Sequence, residues 1–200
     1  MEVKPPRTQA ERSATTRAAL VAAARPLFAA HGFAGVGTEA IVRAAGVSRG
    51  ALYHQFADKT ELFAAVLEAV EHDLTRRIAE QLGTIADPRT VLEAGGDAWL
   101  AACAEPDVER IVLIDGPAVL GWPRWREICL RSAGSLVEAA LQGEIDAGRL
   151  APQPVRPLAH LLMGALDEAA LYVARAEDPA AARSEMGATL RRLLGGLGRP

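Results

Sequence analysis

The segment 38–56 constrains the fold of this chain more strongly than any other part of the sequence. Its apolar residues Ile41, Val47 and Leu52 are spaced so that two short helices, packed at an angle, would share one small core. Gly46 lies between the two helical patterns and accepts the positive φ that a tight turn demands. The segment is therefore predicted to be a helix-turn-helix.

The second of these short helices is predicted to present a face that suits the major groove of DNA. Ser48 is expected to cap it, and small Gly50 and Ala51 would let its first turn approach the groove floor. Arg49 can donate two hydrogen bonds to guanine or contact a phosphate, and Tyr53 adds a ring and a hydroxyl. A helical hairpin that only packs against the rest of the protein is the alternative interpretation.

The distribution of charge favours the DNA interpretation. Residues 1–60 contain eight Lys and Arg against four Asp and Glu, a net charge of +4. Residues 61–200 contain 14 against 21, a net charge of −7, and the two parts together give the −3 of the whole chain. Thr38 and Lys59 are predicted to begin the flanking helices, where amide dipoles and a cation can hold the DNA strand. The predicted DNA-binding residues are Thr38, Val47, Ser48, Arg49, Gly50, Ala51, Tyr53, His54 and Lys59.

The rest of the sequence is predicted to be helical as well. It is rich in alanine and poor in β-branched and aromatic residues, a mixture that favours helix over sheet. A first helix is expected from about Glu11 to Ala30, and a capping box at Asp58–Glu61 opens a long fourth helix towards Leu82. Further helices are predicted over about 89–104, 108–113, the stretch after residue 123, 156–177 and 179–194. The fold class is therefore all-α.

Several classes of protein are excluded by the sequence. Cys103 and Cys129 are too few for a disulfide framework and too far apart for a metal-binding knuckle. The glycine-rich stretch 32–37 lacks the lysine of a phosphate-binding loop. Asp167 and Glu168 are adjacent, so on a helix they point about 100° apart and do not form a catalytic pair. We predict no enzymatic activity, no cofactor, no metal site and no membrane span, and a cytoplasmic location.

The stretch from about Thr16 to Val70 resembles the DNA-binding region of TetR-type bacterial transcriptional regulators. The shared features are an alanine-rich first helix ending in Phe28 and Gly32-Phe33, then Thr38, Ile41, Ala45-Gly46-Val47-Ser48, Gly50, Leu52-Tyr53, Phe56, Lys59 and Leu62. Val42 stands where the family usually has alanine, and Gln55 stands where histidine or another ring is common. Neither departure breaks the scaffold.

This resemblance implies a ligand-responsive repressor. A homodimer would place two recognition helices in successive major grooves of a palindromic operator, and a small molecule in the helical body would release the DNA. The implied architecture is an N-terminal three-helix domain and a larger helical ligand-binding and dimerisation domain, about nine helices in total. The expected divisions are a helix-turn-helix DNA-binding domain at 11–58 with its motif at 37–56, a connecting helix at 59–83, and the ligand-binding and dimerisation domain at 84–200.

Large or soft apolar residues on several helices of the third division are predicted to line a cavity for a mainly apolar small-molecule effector. These candidate ligand-binding residues are Trp99, Cys103, Leu113, Trp122, Trp125, Cys129, Met163 and Asp167. For each of them, simple filling of the core is the alternative interpretation.

The last two helices are predicted to form the dimer interface, because both are more apolar than one small monomer core requires. The residues expected there are Leu161, Leu162, Ala165, Ala169, Tyr172, Leu190, Leu193 and Leu194. Burial within one chain is the alternative. Two other functions remain open: a DNA-binding or architectural module regulated by a protein partner, and an all-α enzyme, which would need a buried polar constellation.

Overall fold

The computed structural model describes residues 8–85 and 91–197, and this part of the chain contains helices and no strand. The α-helices are α1 (Gln9–Gly35), α2 (Thr38–Ala45), α3 (Arg49–Gln55), α4 (Lys59–Leu82), α5 (Val91–Ala102), α6 (Gly116–Leu120), α7 (Trp122–Cys129), α8 (Ser135–Asp146), α9 (Val155–Ala174) and α10 (Pro179–Leu197).

Two π-helical segments complete the fold. Val108–Asp115 runs directly into α6, and Leu130–Gly134 joins α7 to α8 without a break in the helical backbone. Counted as uninterrupted rods, the helices of the described residues number nine, and the all-α fold class is confirmed. The predicted start of the fifth helix at about residue 89 lies outside the described residues.

α1 begins slightly earlier than expected and is broken at Gly32. Thr8 and Glu11 form a capping box, in which the Glu11 N–H donates to Thr8 Oγ1 and the Thr8 N–H donates to Glu11 Oε2. Gly32 has a φ of 67° and a ψ of 168°, so it interrupts the helix before one last turn. This break directs the chain towards α2.

The first three helices form a compact unit, which we call the head. Leu20 and Phe28 of α1 are fully buried against Ile41 of α2 and Leu52 of α3. Phe56, just after α3, closes the same core and is 3% exposed. The apolar spacing that predicted the helix-turn-helix therefore forms its core.

The turn between α2 and α3 has the predicted glycine conformation. Gly46 has a φ of 66°, and its N–H donates to the Arg43 carbonyl at the end of α2. Ser48 caps α3, because its Oγ accepts the Ala51 N–H at 3.1 Å. Thr38 begins α2, and Gly37 rather than a side-chain cap occupies the N-cap position before it.

α4 connects the head to the remaining helices, α5–α10 with the two π-helical segments, which we call the body. Its N-terminal part buries Leu62 and Phe63 in the head, where Phe63 packs edge-on against Phe28. Further along, Val70 and Leu74 are buried against the body. The segment Val108–Asp115 packs against both α1 and α4, so that head and body share one continuous core.

α1 is also the one described helix that is long and apolar enough to cross a membrane by length and composition. Its Leu20, Ala24 and Phe28 are buried in the head, whereas Arg12 and Arg17 are exposed on its other faces. Packing in the head therefore accounts for its apolar residues.

Candidate nucleic-acid interface and ligand cavity

α3 turns a polar face to solvent at the edge of the head. Arg49, Gly50, Tyr53 and His54 are all exposed, while Leu52 on the opposite side is fully buried. Because one buried leucine fixes the rotation of this short helix, the four exposed residues stay on one outward surface. This is the arrangement that insertion into a major groove requires.

The Arg49 side chain is held only loosely in the free protein. Its guanidinium carbon lies 5.7 Å from the centre of the Tyr53 ring, and its Nη1 lies 3.9 Å from Glu39 Oε1. The side chain is 65% exposed, so both contacts are weak. Hydrogen bonding to Thr38 and to Arg49 lowers the pKa of the Tyr53 phenol. Thr38, Arg49 and Tyr53 therefore form one polar cluster on the outer surface of the head.

Ser48 and Gly50 at the start of α3 have small side chains, so they leave space for another molecule to approach this surface closely. A Cβ built on Gly50 would meet only Ser48 Oγ, at 3.9 Å, so the fold itself does not require a glycine there. Ser48 Oγ accepts a hydrogen bond as the cap of α3, and its O–H is free to donate outwards. Ala51 and Val47 are half-buried beside them.

Lys59 is the first residue of α4, and its ammonium contacts the head itself, while its phosphate contact stays a prediction. Its Nζ donates to the carbonyl oxygens of Phe33 and Val36, each at 2.9 Å, and lies 4.0 Å from the centre of the Phe33 ring. The ammonium therefore fastens the link between α1 and α2 to the start of α4.

Sequence reasoning missed two residues that attach α3 to α1. Gln55 exchanges hydrogen bonds with Ser13 Oγ at 2.8 and 3.2 Å, and the Arg17 guanidinium lies 4.3 Å from the centre of the Phe56 ring. The polar face of α1 carried no signal for these contacts, because they join residues some 40 positions apart in the chain.

The body contains a cavity with a volume of about 90 Å³, which opens to solvent on one side. Its walls come from α4, α5, α7, α8, α9, α10 and the segment Leu130–Gly134. Four of the predicted ligand-binding residues, Trp99, Cys129, Met163 and Asp167, lie in these walls. The other wall residues are Glu71, Ile78, Leu82, Val91, Leu92, Gly95, Gly96, Ala133, Leu136, Val137, Ala140, Leu162, Ala165, Leu166, Leu190 and Leu194.

The structure does not bring the other four predicted residues to this cavity. Cys103 and Leu113 are buried in the core elsewhere, and Trp125 donates its Nε1–H to the Val112 carbonyl at 2.8 Å. Trp122 is 61% exposed on the protein surface. The expectation of a tryptophan-lined pocket is thus corrected: α7 directs Trp125 inward, where its N–H finds a partner, and leaves Trp122 outside.

Two carboxyl groups lie in the otherwise apolar wall. Asp167 is paired with Arg126, whose Nη1 lies 2.7 Å from Asp167 Oδ2, yet burial raises the pKa of Asp167 to about 6. Glu71 is 1% exposed, and burial, helped by the nearby charge of Asp167, raises its pKa to about 7. Glu71 was not predicted, although its position in the buried stripe of α4, beside Val70, was a visible signal.

The predicted dimerisation residues fall into two groups. Leu161, Tyr172 and Leu193 are exposed, at 72%, 53% and 51%. The five that their own chain covers wholly or in part are Leu162, Ala165, Ala169, Leu190 and Leu194. The expectation of one dimer face built from all eight is therefore corrected. α9 and α10 are apolar on more than one side, and one side of each is used by the core and the cavity of the same chain.

The sequence matches two family models that together span both the head and the body. Residues 20–66 match "Bacterial regulatory proteins, tetR family", and residues 90–197 match "Tetracyclin repressor-like, C-terminal domain". The second match alone covers more than half of the chain. The chain belongs to the TetR family. It is a TetR-family transcriptional regulator with a helix-turn-helix and a C-terminal domain of the ligand-binding type.

Two solved structures resemble nearly the whole chain. A TetR-family transcriptional regulator from Pectobacterium atrosepticum is 35% identical, with a TM-score of 0.83 over 97% of this chain and 99% of that one. RolR in complex with resorcinol has a TM-score of 0.75 over 94% of this chain and 91% of RolR. RolR is 21% identical, so this likeness concerns the fold alone.

Other relatives match less than half of the chain. The transcriptional regulator CymR of Pseudomonas putida is 38% identical over 87 residues, which are 44% of this chain and 43% of CymR. The transcriptional activator FasR of Mycolicibacterium smegmatis is 35% identical over 83 residues, 42% of this chain and 38% of FasR. The matched stretches thus span less than half the length of these relatives.

Proposed function

We propose that this TetR-family protein is a repressor that binds a palindromic operator as a homodimer and is released by a small, mainly apolar ligand. The observation that carries the proposal is the outward polar face of α3, with Arg49 and Tyr53 exposed and Leu52 buried behind them. The head is also the cationic part of the chain. We propose that the protein acts in the cytoplasm. We also propose that residues 11–58 form the DNA-binding domain, 59–83 the connecting helix and 84–200 the ligand-binding and dimerisation domain.

We propose repression rather than activation, because a ligand that releases a repressor from DNA has to couple only one movement, that of the head relative to the body. The relatives include both an activator, FasR, and a repressor, AcnR of Corynebacterium efficiens, so their names do not decide this point. The cavity supports a small-molecule effector over a protein partner, since a body that responds only to a protein partner has no need of an internal apolar space.

The proposed homodimer uses the exposed apolar residues of the last helices. Leu161, Tyr172 and Leu193 together are the exposed part of the predicted interface, and an isologous pairing would remove them from water. Replacing Leu161 by glutamate is expected to place a charge in that interface and to shift the protein to monomers in sedimentation velocity. Replacing Leu193 by serine is the milder companion variant. A dimer unchanged by both substitutions would exclude this face.

A gel-shift series with the DNA upstream of the protein's own gene tests the DNA-binding part. Wild-type protein is expected to form a sequence-selective complex that weakens steeply with salt. Arg49→Ala is expected to relax base preference by about 1–3 kcal/mol if the side chain reads a base. Arg175→Ala removes the same charge from an exposed site in the body and is the matched control. Equal losses on specific and random DNA would show that Arg49 contacts only phosphate.

A further inference from the structure

Two buried oxygen atoms on α4 lack partners. Among the residues that the structure describes, Glu71 Oε2 and Thr75 Oγ1 are the buried side-chain nitrogen or oxygen atoms without a hydrogen bond. Glu71 and Thr75 are four residues apart, so they lie one above the other on the same stripe of the helix. Ile78 and Leu82 continue that stripe and, like Glu71, line the cavity.

The unpartnered atom of Glu71 is its Oε2. The Cys129 thiol lies 3.7 Å from Oε1 and donates to it, which leaves Oε2 with nothing to accept. A buried carboxyl oxygen without a donor is costly, and native structures rarely keep one unless something else supplies the partner. The side chain is 1% exposed, so bulk water does not satisfy this oxygen.

The other carboxylate in the wall is not available in the same way. Asp167 Oδ2 accepts from Arg126 Nη1, and Arg126 Nη2 also donates to the His160 carbonyl at 3.0 Å. This guanidinium holds Asp167 from the side of α7. The cavity therefore has apolar walls and one paired carboxylate, and Glu71 Oε2 lies buried in the wall without a donor, so a ligand hydroxyl reaches it once the Glu71 side chain turns towards the cavity.

We propose that Glu71 is the polar anchor of the ligand, and that the ligand is an uncharged, mainly apolar molecule whose hydroxyl donates a hydrogen bond to Glu71 Oε2. This inference rests on the proposed function, in which the cavity is the effector site. One unsatisfied acceptor matches the single donor of an alcohol or phenol. A carboxylate ligand would face both Glu71 and Asp167, so the cavity rejects apolar acids. An ammonium ligand would lose its hydration on entering the cavity. Its three N–H donors would then find only one unpartnered oxygen, so its binding is disfavoured.

The test uses the intact protein and four probes of nearly the same shape. They are 4-propylphenol, propylbenzene, 4-propylbenzoate and 4-propylbenzylamine. Dissociation constants are measured by isothermal titration calorimetry at pH 8, where Glu71 is ionised and its oxygens only accept hydrogen bonds. We expect 4-propylphenol to bind about tenfold more tightly than propylbenzene, the gain of one hydrogen bond to a buried carboxyl group. The benzoate is expected to bind least. Tighter binding of the benzylamine than of the phenol would overturn the hydroxyl assignment.

Variants connect the preference to the residue. Glu71→Leu is expected to remove the advantage of the phenol while keeping the affinity for propylbenzene, and Glu71→Gln to reduce that advantage. If the leucine variant does not fold, the glutamine variant carries the comparison. Glu68→Gln removes an exposed carboxylate one turn earlier on α4 and is the matched control. The proposal would be refuted if the Glu71 variants keep the full preference for the phenol, or if no probe binds to the wild-type protein.

The same protein preparations are tested for binding to the upstream DNA. Intact DNA binding with no probe preference would reject the role of Glu71 alone. Failure of wild-type protein to form a selective DNA complex would reject the proposed function, whatever the probes do.

Discussion

Replacing Asp115 by alanine tests how the head is held to the body. Asp115 lies at the end of the π-helical segment and accepts the Phe33 N–H at 2.6 Å, just after the break of α1 at Gly32. The same carboxylate oxygen lies 3.3 Å from Arg110 Nε. Asp115 is only 8% exposed, so the backbone amide of the head is bonded to a largely buried carboxylate of the body.

The expected cost follows from the type of bond that is lost. A hydrogen bond to a charged group contributes about 1.5–3 kcal/mol, and its removal leaves the Phe33 amide without this partner. The Arg110 side chain is largely exposed, so its ion pair adds little. We expect Asp115→Ala to lower the free energy of unfolding by about 2 kcal/mol. Asp115→Asn keeps an acceptor oxygen without the charge and should cost about half as much.

Urea unfolding followed by circular dichroism at one fixed protein concentration measures this cost. For a chain of this size, about 2 kcal/mol corresponds to a Tm lowered by roughly 4–8 °C. Glu177→Ala removes an exposed acid from the turn between α9 and α10 and is the control. If the two alanine variants differ by less than about 0.5 kcal/mol, the bond between head and body is not the stabilising contact that its geometry indicates.

Three further predictions concern the DNA surface, the buried acid and the link of the head. Gly50→Ala should raise the free energy of unfolding by up to about 1 kcal/mol, since its Cβ meets only Ser48 Oγ at 3.9 Å and alanine favours helix, but should weaken DNA binding in gel shifts because the added methyl group projects from the exposed face of α3. The folded chain retains a proton on Glu71 between pH 4.5 and about 7, so its ionisation destabilises the fold as pH rises through that window. Glu71→Gln should therefore gain up to about 3 kcal/mol over wild type in urea titrations across that range, with Asp167 titrating in both proteins. Lys59→Met should lower the unfolding free energy by about 1–3 kcal/mol through the loss of two carbonyl contacts, measured by the same titration.

The helix-turn-helix could be predicted because its determinants are local. Ile41, Gly46 and Leu52 lie within a few residues of the contacts and turn that they form, so spacing alone places them. The carbonyl partners of Lys59 were not predicted, because residues 33 and 36 belong to the end of a different helix. From the sequence alone, a lysine at a helix start is compatible with a contact to a phosphate and with a contact to backbone carbonyls of the same chain.

The cavity was only half predicted, for a different physical reason. A pattern of apolar residues shows which side of a helix is buried, but it does not show which buried side meets a space and which meets another helix. Trp99 and Trp125 have the same signature in sequence, yet Trp99 donates to the Leu166 carbonyl at the cavity and Trp125 donates to Val112 in the core. The rotation of each helix, which decides this, is set by contacts between distant segments.

α4 gives a structural basis for joining the two proposed activities. One uninterrupted helix carries Phe63 in the head and Glu71 and Leu82 in the cavity wall. It contains no proline and no glycine before its end at Leu82, so a displacement at the cavity is transmitted along the rod without a hinge. Lys59, the first residue of α4, donates to the Phe33 carbonyl in the last turn of α1. Asp115 of the body accepts the N–H of the same Phe33. A ligand that tilts α4 must therefore either carry this end of α1 with it or break the Asp115 bond. For this reason a ligand in the cavity can change the position of α3 only if it prefers one of these two arrangements.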